Sequence, residues 1–121
     1  MSFNEEIETL FNNFTVDGET IPVAFAYYDG NATKYVTYVE NYKDNSFSAD
    51  DTLQAYISYY DFDMYVKRGN GSYFAIAEAI DDILLAAGWT RQLTRESADL
   101  FETDTGYYHK TLCYAKESEV N

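Results

Sequence analysis

The chain is poor in the residues that most often carry covalent form or chemistry. Among its 121 residues Cys113 is the only cysteine, so no disulfide closes within it, which fits a reducing compartment. One cysteine and one histidine, His109, are too few for a zinc ligand set. Pro22 is the sole proline, and no linker rich in Pro, Ser or Gly divides the sequence, so one domain is expected over residues 1–121. No apolar run approaches the ~18 residues of a membrane helix. Basic side chains are scarce: 8 Lys and Arg face 21 Asp and Glu, a net charge of −13. A sequence-independent nucleic-acid binder needs the opposite surplus to displace counterions from phosphates. Docking on an anionic membrane is disfavoured for the same reason. Residues Met1–Glu6 have neither the basic start nor the apolar stretch of a signal peptide, so the expected setting is the inside of a cell. The three acceptor-like tripeptides at Asn13, Asn31 and Asn70 are accordingly read as chance matches to a short pattern.

What the chain has in quantity is aromatic surface. Aromatic residues make up 18% of it, with 13 Tyr and 8 Phe, which argues against acidic disorder. Phe3, Ile7, Leu10, Phe11 and Phe14 form the apolar stripe of a helix over Phe3–Phe14, with Glu5, Glu6 and Glu8 near the start, where the helix dipole favours acids. Val16–Glu19 reads as a turn. Pro22–Tyr28 and Lys34–Tyr42 read as strands joined at Asp29-Gly30-Asn31 in a hairpin. Asp44–Asp51 is loop by composition. Thr52–Lys67 is the longest strand, with Tyr56, Ser58, Tyr60, Phe62, Met64 and Val66 on one face. Its length predicts a bend or bulge near Asp61 and Asp63.

Arg68–Ser72 breaks that strand. Tyr73, Ile76, Ala77, Ile80, Ile83, Leu84 and Ala87 then recur at helical spacing, and Gly88 closes the helix. Trp89–Arg95 and Tyr107–Lys116 read as two further strands around the polar stretch Ser97–Thr105. The order α-β-β-β-α-β-β predicts an α+β domain, a small antiparallel sheet of about five strands with two helices packed on it.

Few residues suggest chemistry. His109 and Cys113 are four apart, about 13 Å along a strand, too far for an imidazole to activate a thiol. Both are therefore read as structural. Asp61 and Asp63 share a strand face, and Asp81-Asp82 lies on the second helix. Either pair suits a hard cation or acid–base work, but solvated acids are the plainer reading. Asp61–Ser72 has the length of a calcium loop but lacks its central glycine and closing Glu. Gly69-Asn70-Gly71 has no Lys in P-loop register and reads as a turn. Thirteen tyrosines exceed what one small domain buries with every hydroxyl satisfied, so some are expected at the surface as contact area. No catalytic, cofactor or metal-binding residue is assigned.

Several segments, in order, carry a resemblance. They are Pro22-Val23-Ala24-Phe25-Ala26-Tyr27-Tyr28-Asp29-Gly30, Tyr35-Val36-Thr37-Tyr38, and Gln54-Ala55-Tyr56-Ile57-Ser58-Tyr59-Tyr60-Asp61-Phe62-Asp63. An apolar helix ending Ala86-Ala87-Gly88-Trp89 follows, then Asp99-Leu100-Phe101-Glu102-Thr103-Asp104-Thr105-Gly106-Tyr107-Tyr108-His109-Lys110. From about Ile21 to Tyr114 the chain resembles small tail-terminator, or tail-completion, proteins of long-tailed bacteriophages and prophages with Gram-positive hosts. The resemblance implies a non-enzymatic subunit of a hexameric ring. That ring caps the tail tube, faces the head connector and lets DNA pass without binding it specifically. It implies the host cytoplasm during assembly and then the tail or neck of the virion. No cofactor follows from it.

Phe47, Leu100 and Phe101, isolated apolar residues in polar stretches, and Tyr59 and Tyr60 are the expected assembly contacts. Two other readings remain beside this one. The first is an acidic DNA mimic that inhibits a host nucleic-acid enzyme, or another neck or tail-tube component of similar build. The second is a small hydrolase or metal-dependent enzyme using Asp61 and Asp63. The charge is uneven: through Asp63 there are 12 acids against Lys34 and Lys43, and beyond it 9 acids against 6 bases. In a ring the acidic N-terminal part is expected toward the channel.

Overall fold

Helix α1 (Phe3–Leu10) starts where the sequence supplies its own cap. The Glu5 backbone N–H donates to Ser2 Oγ at 3.1 Å, and the Ser2 hydroxyl donates to Glu5 Oε1 at 3.3 Å. The computed structural model describes residues 2–47 and 53–119. The helix ends at Leu10, short of Phe14, because Asn13 takes a left-handed conformation (φ 57°) that turns the chain. Phe11 and Phe14 stay buried through that turn, so the apolar spacing persists without the helix. A two-residue hairpin follows, β1 (Thr15–Val16) and β2 (Glu19–Thr20). Asp17 and Gly18 between them both have positive φ, 51° and 81°, as a type I′ turn requires.

The main sheet is mixed. Its strands are β3 (Val23–Phe25), β4 (Lys34–Phe47), β5 (Leu53–Lys67), β6 (Thr90–Arg91), β7 (Leu100–Glu102) and β8 (Tyr107–Glu119). The spatial order is β3-β4-β5-β8-β6, and β7 pairs with β8 beyond the short β6. The expected hairpin between β3 and β4 is not formed: these strands run parallel, Val23 opposite Val36 and Phe25 opposite Tyr38. A γ-turn at Ala26 (φ 62°), closed by Tyr27 N–H to the Phe25 carbonyl at 2.6 Å, ends β3. Residues 26–33 then carry the chain back to restart beside it. A three-residue pairing makes so short a parallel return possible.

The remaining differences are local. β4 continues through Phe47, so Asp44–Phe47 is strand where a loop was expected; residues 48–51 of that loop, and Thr52, lie outside the described residues. Near the predicted position the bulge falls on β4, where Asn41 is the extra residue between the pairs Glu40–Tyr60 and Tyr42–Tyr59, and a second register shift lies between Ser46 and Phe47. β5 keeps an unbroken register with β8. Trp89–Arg95 supplies only β6 and a 3-10 turn, Leu93–Arg95, and Ser97–Thr105 contains β7.

Helix α2 (Phe74–Ala86) matches its spacing and ends in a Schellman motif. Trp89 N–H donates to the Leu84 carbonyl at 2.9 Å and Gly88 N–H to Leu85 at 3.2 Å, with Gly88 at φ 92°. Both helices cover one face of the sheet. Ile7, Phe11, Ile76, Ile80 and Leu84 meet Phe62, Met64, Val66, Leu112 and Tyr114 there. Lys116 holds the two helices together, with Nζ on Glu6 Oε1 at 2.8 Å and on the Ala87 carbonyl at 2.8 Å.

Candidate functional site

The sheet face turned away from the helices carries a row of rings instead of an aliphatic core. Tyr28, Tyr35, Tyr65 and His109 stack in sequence across the strands, with centroids 4.5, 4.5 and 4.3 Å apart. Strand alternation puts Tyr65 and its neighbours Asp61 and Asp63 on this side, while Phe62, Met64 and Val66 point to the core. Gly30 lets the row begin: a Cβ there would sit 2.2 Å from the Tyr28 hydroxyl, which accepts the Ala32 N–H at 3.1 Å.

His109 lies between two carboxylates, with Nε2 2.8 Å from Asp63 Oδ1 and Nδ1 3.3 Å from Glu102 Oε2. The hydrogen bond to Asp63 raises the imidazole above its ordinary pKa, against the lowering effect of burial. The carboxylates address opposite ring nitrogens and converge on no common point. Cys113 does not meet His109. Its thiol is fully buried and beside Asp61, and burial pushes it up to about 11. Burial likewise raises Asp61, opposed by a hydrogen bond from Asn41. Asp81 accepts the Tyr114 hydroxyl at 2.7 Å and faces Arg91 at 3.6 Å, whereas Asp82 is exposed. Among the described residues no three His, Cys, Asp or Glu side chains are grouped to hold a metal ion. Several acids are tied to internal partners: Glu6 to Lys116, Glu19 to Lys34, Glu96 to Arg91.

The expected contact residues separate. Leu100 and Phe101 lie exposed on edge strand β7, 48% and 40% accessible, with the Phe101 ring 4.8 Å from Tyr108. Tyr59 is half-buried on the open face under the Arg95 guanidinium, 4.4 Å from its centroid. Tyr60 is corrected: it is 3% accessible, faces the helices and donates its hydroxyl to Asn4 at 2.7 Å. The pleat sends adjacent residues to opposite faces, so Tyr59 and Tyr60 cannot share one surface. The side chain of Phe47 lies outside the described residues.

Sequence reasoning missed other exposed rings. Phe74 is 70% accessible and borders a groove of about 350 Å³ with Tyr73, Asp99 and Tyr108. At the opposite edge of the sheet Phe25 and Tyr27 are 52% and 73% accessible. Phe74 was findable: it lies off the stripe of Ile76, Ile80 and Leu84, on the side of Glu78, where an aromatic residue has no core to fill. A scan against protein-family models matches none, and a search of curated proteins also finds no match.

Proposed function

We propose that this chain is a structural subunit that closes into a ring, in the manner of a phage tail terminator that caps the tail tube and meets the head connector. One observation carries the reading: uncovered aromatic side chains lie at both ends of one sheet. Phe25 and Tyr27 are on the β3 side, and Phe74, Phe101 and Tyr108 are on the β7 side. A ring needs two different, mutually complementary patches on each subunit, and edge strands rich in aromatic residues suit that role. The acids Glu5, Glu8, Asp17, Glu19, Asp29 and Glu40 are all exposed, and an acidic lumen repels the phosphates of passing DNA.

Mass measurement in solution, followed by electron microscopy with and without tail tubes, tests the reading. Discrete rings, hexamers by the resemblance, are expected. A strict monomer that ignores tube ends overturns it. A head-to-tail contact also predicts that Phe25→Asp and Phe101→Asp chains, each unable to form rings, pair as dimers when mixed, since one intact junction remains between them.

A further inference from the structure

We infer that His109 is a proton-operated latch that fastens edge strand β7 to the sheet. Both ring nitrogens face a carboxylate, Asp63 from β5 and Glu102 from β7. Only the imidazolium has two N–H donors, so the charged ring satisfies both partners and the neutral ring leaves a lone pair against one of them. Asp63 is the firmer partner: it is nearer, its side chain is 20% accessible against 37% for Glu102, and it also accepts the Thr111 hydroxyl. On loss of the proton the Nε2–H stays with Asp63, and Nδ1 turns its lone pair on Glu102.

The other neighbours do not replace the lost bond. Tyr65 of β5 stacks on the imidazole, Tyr35 of β4 lies one ring further, and Thr105 donates to Glu102 Oε1 at 3.0 Å. Among the described residues no Lys or Arg forms an ion pair with Asp63 or Glu102. What remains for β7 is a three-residue pairing with β8, the Gly106 N–H on the Glu102 carbonyl at 2.8 Å, and the Phe101–Tyr108 contact. The hydrogen bond to Asp63, with the charges of Asp63 and Glu102, places the imidazole's titration above its ordinary value of 6.5. The latch is thus closed in mildly acidic solution and opens as pH rises through that raised midpoint, loosening the strand that presents Leu100 and Phe101. This holds whether or not the chain forms rings.

The test is an NMR titration of the His109 ring together with the amides of Leu100, Phe101 and Glu102. The ring is expected to titrate above 6.5 and the three amides to follow the same midpoint. Those among them whose N–H bonds to β8 are alternate residues, as on any edge strand. The exchange protection of these, corrected for the intrinsic pH dependence, should fall about two- to fivefold across the midpoint, the size of a partly exposed ion pair. Glu102→Gln should lower the midpoint and abolish the fall while the β5–β8 amides stay protected. A midpoint at or below 6.5, amides of β7 that ignore the titration, or an unchanged midpoint in Glu102→Gln overturns the inference. Should that variant not fold, the wild-type titration alone decides.

Discussion

The same strands build two unlike surfaces. On the helix side, Phe62, Met64 and Val66 of β5 are fully buried, and their neighbours are aliphatic and aromatic side chains from both helices. One residue out of register, Asp61, Asp63 and Tyr65 stand in a half-open layer of stacked rings, carboxylates and one imidazole. The first surface is held by area removed from water, which is indifferent to pH and direction. The second is held by stacking geometry and charge, so it answers to protons and to single close approaches.

The sharpest way to break this contrast is to truncate one ring from each side. Phe62→Ala should cost about 3–5 kcal/mol in denaturant unfolding, as a buried aromatic does. Tyr65→Ala, stacked but half-open, should cost about 1–2 kcal/mol. Equal losses would mean that the open face is a second core. Next, Gly30→Ala should displace the Tyr28 ring and cost about 1 kcal/mol through the lost stack and hydrogen bond, read from the same unfolding curves and from the Tyr35 ring shifts.

A smaller effect is pH dependence. His109 is raised in the folded state, so its contribution is fully present below the unfolded pKa of about 6.5 and is lost as pH rises through the higher folded pKa. Thermal unfolding should show a decline of up to about 1 kcal/mol over that window, absent in His109→Gln. Smallest for the fold, Phe101→Ala should change stability by less than about 0.5 kcal/mol, since the side chain is exposed, while still weakening ring formation. Global unfolding of that variant would make it a core residue.

Much of the helix-side architecture was legible from local pattern. The α2 stripe, its closing Gly88, the Asp17-Gly18 turn and the alternation along β5 follow from periodicity and turn chemistry within a few residues of each other. Pairing direction does not. The Asp29-Gly30-Asn31 signal is that of a tight turn, yet Gly30 serves the approach of the Tyr28 ring, and β3 pairs parallel to β4. β7 was hidden because Leu100–Glu102 is too short to show a period, and its partner strand is chosen by tertiary contact. Of the expected contact residues, Leu100 and Phe101 are exposed, but Tyr60 shares the face of Phe62, Met64 and Val66, which the helices cover, so its hydroxyl is spent inside the fold. Glu102 drew no attention because its partner His109 comes from a different strand.

Asn41 acts on β4 as a single inserted base acts on a reading frame. Upstream of it, Val36 and Tyr38 point to the helices; downstream, Tyr42 lies against Tyr59 on the opposite side, while Lys43 reaches over Tyr56. Everything beyond position 41 is therefore read in the other phase. Were Asn41 instead drawn into regular pairing with Tyr59, Tyr42 would fall opposite Ser58 toward the helices and Lys43 opposite Ile57 on the open side, whereas deleting Asn41 would leave Tyr42 against Tyr59 and the phase of the outer half unchanged.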